Sequence, residues 1–253
     1  VSQSGMAADV MAVLENGVRS GALTLSVTNN LESKMANMTD FHLYCNAGKE
    51  LSVAATKTYT AQMCLLGYLA AYHSQNRQVQ EELTQIADNL PKIFGLKPQI
   101  QDLAQKYKDL ESLIVLGRGT NYPIALETAL KIQETTYINA RAYAASDFHH
   151  GPFAIVDQNT TVLLIAPAGN SQKDMQELKE KLLGSGAKVL VITNQKQLAS
   201  GARDSVIYGL QGSDYITPFY NVVIAQMWAC AISLARGLNP DAPRGLQKVT
   251  ITK

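Results

Sequence analysis

Cysteine is scarce in this 253-residue chain, with three residues, Cys45, Cys64 and Cys230, set far apart. An odd, scattered set without a C-x-x-C pair or a histidine at zinc spacing argues against a disulfide framework and against a structural metal site. The three are read as reduced core thiols of a cytoplasmic protein. No apolar run approaches the length of a membrane span, and no secretory leader is evident, so no membrane partner is expected. An excess of charge is lacking too. The chain carries 22 basic against 21 acidic residues, net +1, which gives nucleic acid no electrostatic hold. There is no G-x-G-x-x-G followed by a ribose-binding acid, no Walker motif and no cluster of metal-binding residues. Neither a cofactor nor a metal is therefore expected, and Gly117-Arg118-Gly119 alone is too weak a pattern to suggest one.

What the chain does have is a repeat. Residues 20–29 read SGALTLSVTN and residues 185–194 read SGAKVLVITN, identical at six of ten positions. A helical pattern precedes each copy, through Met11, Leu14 and Val18 in one and Met175, Leu178 and Leu182 in the other. A short apolar strand follows each, Phe41 to Cys45 or Ser205 to Tyr208, and then a long helix, Thr58 to His73 or Pro218 to Ala235. Alternating strands and helices predict an α/β fold with parallel sheets covered on both faces. At 46% hydrophobic the chain can fill two such cores. Between the copies, 80–110 reads as helical pieces broken by Pro91 and Pro98. Leu113 to Leu116 is then a buried strand, and the helix from about Tyr122 to Glu134 starts the second unit. The matching strand and helix of the first unit are expected upstream of Val1.

Three stretches could carry chemistry. The opening Ser2-Gln3-Ser4-Gly5 combines hydroxyls, an amide and a glycine ahead of a helix expected near Met6, a combination that could cradle an anion. The simpler alternative is an ordinary serine N-cap. The corresponding turn of the second copy, Ala166-Pro167-Ala168-Gly169-Asn170, keeps the glycine and loses both serines. In the helix NYPIALETALKIQE, Glu127, Lys131 and Glu134 share one stripe of an otherwise apolar cylinder. That stripe is either a solvated ion pair or an acid–base set able to move a proton on carbon beside a carbonyl. Finally, His149 and His150 precede Gly151-Pro152. Adjacent residues point apart and no third ligand is near, so one histidine acting as an acid or base is favoured over metal binding, and on these residues alone an ordinary exposed loop histidine is favoured over both.

Taken together, SQSG at 2–5, NAGKELSVAATKTYTAQ at 46–62, LGRGTNYPIALETALKIQE at 116–134, AYAASDFHHGP at 142–152 and PRGLQKVTITK at 243–253 resemble the sugar isomerase (SIS) family. Within it the closest likeness is to the isomerase domains of the glucosamine-6-phosphate synthases. The resemblance implies two SIS domains, each a five-stranded parallel sheet flanked by helices, the first lacking its N-terminal part here. It places these domains at 1–90 and 91–240, with a tail at 241–253 that reaches the active site. By the same resemblance Ser2, Gln3 and Ser4 bind the phosphate of a sugar phosphate, and Val53, Ala55 and Thr56 lie against the sugar. Glu134 is the base that shuttles a proton between C1 and C2, with Lys131 and Glu127 beside it. His150 assists ring opening, reaching in from the neighbouring subunit of a homodimer, and Lys248 approaches the carbonyl. Met6 and Ala7 stand where the synthases have an acidic residue and a threonine, which removes one phosphate hydroxyl. Ala55 replaces a serine. No glutaminase domain is present in these residues. The expectation is a stand-alone relative: a phosphosugar isomerase or an aminosugar-phosphate deaminase, with a fructosamine-6-phosphate deglycase or a non-catalytic sugar-phosphate sensor as the alternatives.

Overall fold

The computed structural model describes residues 1–246. Lys248 lies outside the described residues, as does most of the tail segment that carries it. The chain divides into two compact units, Val1–Gln80 joined by the chain from Asp241 onward, and Glu81–Pro240.

The first unit runs α1 (Ala8–Arg19), β1 (Leu25–Thr28), α2 (Lys34–Met38), β2 (Phe41–Tyr44) and α3 (Lys57–His73). β1 and β2 pair in parallel, Leu25 opposite Phe41 and Thr28 opposite Tyr44. Ser2 adds a parallel bridge to Thr28. Among the described residues this unit therefore has two strands and a bridge, not the five strands implied by the resemblance. The rest of the unit is helix or loop.

Helices α4 (Arg77–Thr84), α5 (Ile86–Phe94) and α6 (Lys97–Tyr107) follow. The expected breaks at proline are displaced. Pro91 sits inside α5, a helix short enough to lose one backbone bond, and Pro98 occupies the second position of α6, where no intrahelical N–H bond is at stake. The breaks fall instead at Gln85 and at Gly95-Leu96.

The second unit continues with β3 (Ser112–Gly117), α7 (Tyr122–Thr136), β4 (Asn139–Ala144), α8 (Ala145–Phe148), β5 (Thr161–Ile165), α9 (Gln172–Gly184), β6 (Lys188–Thr193), α10 (Lys196–Ala199), β7 (Asp204–Ile207) and α11 (Thr217–Ala235). Its sheet is parallel throughout, in the order β4-β3-β5-β6-β7. The central strand β5 is buried at every position, as expected of a sheet covered on both faces. Leu116, Val162 and Leu164 pack with Met175, Leu178 and Leu182 of α9. Helix α11 is long and apolar enough by composition to cross a membrane, yet two-thirds of it is buried, with Trp228, Tyr220 and Ile232 in the core. Its hydrophobicity is that of a central core helix. The chain passes from β4 to β5 across β3, so the loops after β3 and β5 diverge at a topological switch point, where open α/β sheets place ligands.

The repeat is structural. α1-β1-α2-β2-α3 and α9-β6-α10-β7-α11 share element order, and their hydrogen bonds correspond. Cys45 N–H donates to the Thr28 carbonyl, as Tyr208 N–H does to Thr193. Ser2 N–H donates to Val27, as Ala166 N–H does to Ile192. The second pairing sets Ser2, Gln3, Ser4 and Gly5 against Ala166, Pro167, Ala168 and Gly169.

Candidate functional site

Helix α7 carries the acid–base candidates. Its start is tied to α11 by a 2.7 Å hydrogen bond from the Asn221 side-chain amide to Asn121 Oδ1, both residues buried. Three buried threonines, Thr128, Thr135 and Thr136, donate their hydroxyls back to carbonyls one turn earlier and so need no solvent. Ile124, Ala125, Ala129 and Ile132 are buried as expected of an apolar cylinder, but Leu126 and Leu130 are exposed, while Glu127 and Lys131 are only 7% and 5% exposed. The solvated-pair reading is thereby excluded.

Lys131 Nζ stands 2.5 Å from Glu134 Oε2 and 4.0 Å from Glu127 Oε1, so it hydrogen-bonds one carboxylate and only faces the other. Glu127 Oε1 is buried without a hydrogen-bond partner. Burial therefore raises the Glu127 carboxyl to about 7, against the opposing pull of the Lys131 charge and a Gln226 hydrogen bond, with Glu134 adding repulsion. Glu134, at the accessible end of the stripe, keeps 24% side-chain exposure. A carboxylate held by an ammonium and a second carboxyl poised near neutrality can take up and return protons at physiological pH. A stability consequence follows. With its folded pKa above the ordinary glutamate value of 4.5, Glu127 favours folding most below pH 4.5 and loses that contribution as pH rises through 7. Ionising it costs about 3 kcal/mol. Glu127→Gln should flatten the melting temperature between pH 5 and 8 and raise it above wild type at pH 8, measured by thermal unfolding.

The opening loop belongs to the first unit. Ser2 Oγ accepts Gly5 N–H at 3.1 Å and Ser4 Oγ accepts Met6 N–H at 3.3 Å, leaving each hydroxyl proton to donate elsewhere. Neither serine caps α1: the helix begins at Ala8 and its N-cap is Ala7, in extended conformation with no side-chain bond. Ala7→Thr should supply the missing cap and stabilise the chain by about 1 kcal/mol in urea unfolding.

Asn29 was not singled out from the sequence, although both repeats end in Thr-Asn. Its N–H donates to the Gln3 carbonyl, its amide donates to Gly48 at 2.8 Å, and its Oδ1 accepts Ala47 N–H. It ties the opening loop to the segment that leads toward Val53, Ala55 and Thr56. These three are half-buried around the buried Ala54. Val53 N–H donates to the Asp241 carbonyl at 3.1 Å, so the tail leaves from beside them.

In the second unit the corresponding loop is already filled. Asp214 accepts Asn170 N–H at 3.1 Å, and its carboxylate lies where a Cβ on Gly169 would be. His150 is exposed in the turn after α8, its N–H bonded to Asp147, and is not hydrogen-bonded to the α7 stripe. Its neighbour His149 lines a cleft with Arg118, Asp174, Glu177 and Lys181. The His149 pKa is lowered by partial burial, then by the charges of Lys181, His150 and Arg118. Among the described residues no three histidine, cysteine or carboxylate side chains converge on a point that could hold a metal.

Comparison with known proteins identifies the family and the fold. A family model for the SIS domain matches residues 1–72 and 106–236. The glutamine–fructose-6-phosphate aminotransferase (isomerizing) of Aquifex aeolicus is 35% identical over 257 residues, covering 100% of this chain and 43% of that protein. The chain thus spans under half the length of that relative. The C-terminal domain of glucosamine-fructose-6-phosphate aminotransferase from Francisella tularensis superposes with a TM-score of 0.87 at 25% identity, over 95% of this chain and 72% of that one. A glucosamine-6-phosphate deaminase from Thermotoga maritima shares the fold, with a TM-score of 0.75 at 22% identity over 99% of this chain and 74% of that one.

Proposed function

The chain belongs to the SIS domain family, and from that premise we propose that it is an enzyme acting on a 6-phosphorylated ketose or amino sugar, opening the ring and moving a proton between C1 and C2. The observation that carries the proposal is the Glu127-Lys131-Glu134 stripe on α7, with Glu127 and Lys131 buried and Glu134 accessible at its end. A sensor needs only to bind its sugar phosphate; it has no use for a carboxyl poised near neutrality beside an ammonium in a helix core.

In the reaction, Ser2, Gln3 and Ser4 hold the phosphate through hydroxyls, the amide and loop N–H groups. Val53, Ala55 and Thr56 lie along the sugar. The Glu134 carboxylate takes the proton from the carbon next to the carbonyl, giving an enediol or enamine, and returns it to the adjacent carbon. Lys131 offsets the negative charge of the carboxylate and of the developing oxyanion. Glu127, near its midpoint at neutral pH, hands a proton to or from the oxygens. His150 of the partner subunit assists ring opening and Lys248 approaches the carbonyl, in a cytoplasmic homodimer.

The test is wild-type protein in deuterated water with fructose 6-phosphate, glucosamine 6-phosphate and a fructosamine 6-phosphate in turn. The C1 and C2 protons are followed by NMR, and released ammonia or amine is assayed. Exchange or conversion of one substrate supports the enzyme and names its branch, the fructosamine substrate marking a deglycase. Tight binding without exchange sinks it in favour of a sugar-phosphate sensor.

A further inference from the structure

Resting on the reading just given, in which Val53, Ala55 and Thr56 lie against the sugar, we infer that Glu50 is the positioning residue for that segment. Glu50 is 5% exposed, a carboxylate taken almost wholly out of water. Its Oε2 accepts the Thr58 N–H at 2.9 Å, the Thr58 hydroxyl at 2.7 Å and, more loosely, the Thr56 N–H at 3.4 Å. These are the N–H groups at the start of α3. Thr56, the N-cap, makes no side-chain cap bond, and the first turn of α3 contains no acidic residue. Glu50 thus does from outside the helix what a capping aspartate does from within, matching its charge to the positive end of a 17-residue helix.

The segment between Glu50 and α3 is thereby held at both ends. Val53 N–H is fixed on Asp241 O, and Thr56 and Thr58 are fixed on Glu50. A short stretch pinned in this way keeps its backbone directed at a ligand without rearranging when the ligand arrives. Two N–H groups and a hydroxyl converge on one carboxylate oxygen, so removing its charge loosens the α3 end of the stretch first. The opening loop has anchors that do not involve the Glu50 carboxylate, Ser2 N–H on Val27 and Asn29 N–H on Gln3, and it meets the segment before Glu50 through the Asn29 bonds to Gly48 and Ala47. Glu50 therefore governs how the sugar is held, while the phosphate is held independently.

That independence makes the role testable in the full chain. Wild type, Glu50→Gln, Thr58→Val and Thr58→Ser are titrated with fructose 6-phosphate and, separately, with inorganic phosphate, and KM and kcat are measured on the substrate identified above. Glu50→Gln should weaken fructose 6-phosphate binding and raise KM by about tenfold, the loss of a charge-assisted hydrogen bond, with phosphate affinity unchanged. Thr58→Val should shift the same ratio by less, and Thr58→Ser, which keeps the hydroxyl, should restore it. A Glu50→Gln chain whose melting temperature falls while both affinities hold, or fall together, overturns the positioning role. A wild-type chain that binds phosphate but no sugar phosphate fails the functional reading itself, before any variant is made.

Discussion

Glu134→Gln is expected to lower C1–C2 proton exchange by about 10²- to 10⁴-fold, the usual contribution of a positioned general base, while sugar-phosphate affinity stays within about threefold. An amide of the same shape preserves packing at the end of the stripe but cannot accept a proton at neutral pH. The electrostatic consequence is specific. Lys131 now faces Glu127 alone, 4.0 Å away. With no second carboxylate competing for the ammonium, the Glu127 carboxyl drops below its wild-type value near 7. The residual activity of the variant should therefore titrate at lower pH than that of wild type. Glu134→Asp keeps the function and changes the reach, so it should fall between the two. Exchange kinetics in deuterated water read all three, and a Glu134→Gln chain that exchanges at the wild-type rate removes Glu134 from the mechanism.

Gly5→Ala should damage the first unit more than any other single methyl addition to the opening loop. Gly5 has φ +65°, in the left-handed region, where an L side chain is strained by about 1–2 kcal/mol. An added Cβ would also overlap both Cβ and Oγ of Ser33. Ser33 cannot retreat freely, because its Oγ accepts the Ala36 N–H at 3.1 Å and caps α2. Overpacking of this kind adds about 1–3 kcal/mol, so the variant should lose about 3 kcal/mol in urea unfolding. Phosphate affinity should fall with it, as the Ser2 and Ser4 hydroxyls move with the loop. Adding Ser33→Gly should return part of the stability by removing the overlap, leaving the backbone strain. A Gly5→Ala chain as stable as wild type would show that the loop accommodates a side chain, contrary to this geometry.

The elements that the sequence discloses well are those with strong local periodicity. The paired SGALTLSVTN and SGAKVLVITN runs became β1 and β6, each followed by a strand and a long helix as expected, while the short helices α2 and α10 before those strands were not foreseen. The proline breaks were misplaced because a proline's effect depends on where a helix happens to begin, which short polar segments do not specify. On α7 the composition signalled burial, but not that Glu127 and Lys131 would be buried and Leu126 and Leu130 exposed. Which stripe turns inward is decided by packing against β3, β4 and α11, and although β3 and β4 flank α7 in the chain, α11 is remote in sequence. Glu50 escaped notice for a related reason. It precedes its strongest partner, Thr58, by eight residues across an irregular segment, a spacing that no helix or strand motif contains. Asp214, 44 residues from the Asn170 it bonds, left no local trace.

Asp214 bears on stoichiometry. Of the two corresponding loops, the one in the second unit is already neutralised by a covalently attached anion, held against Asn170 N–H and seated on Gly169. A free phosphate would have to displace a carboxylate that is present at fixed, high effective concentration and cannot diffuse away. A phosphate titration of this duplicated chain should accordingly saturate at one equivalent rather than two. On the proposed reading the repeat doubles the scaffold, and a single aspartate keeps the count of bound anions from doubling with it.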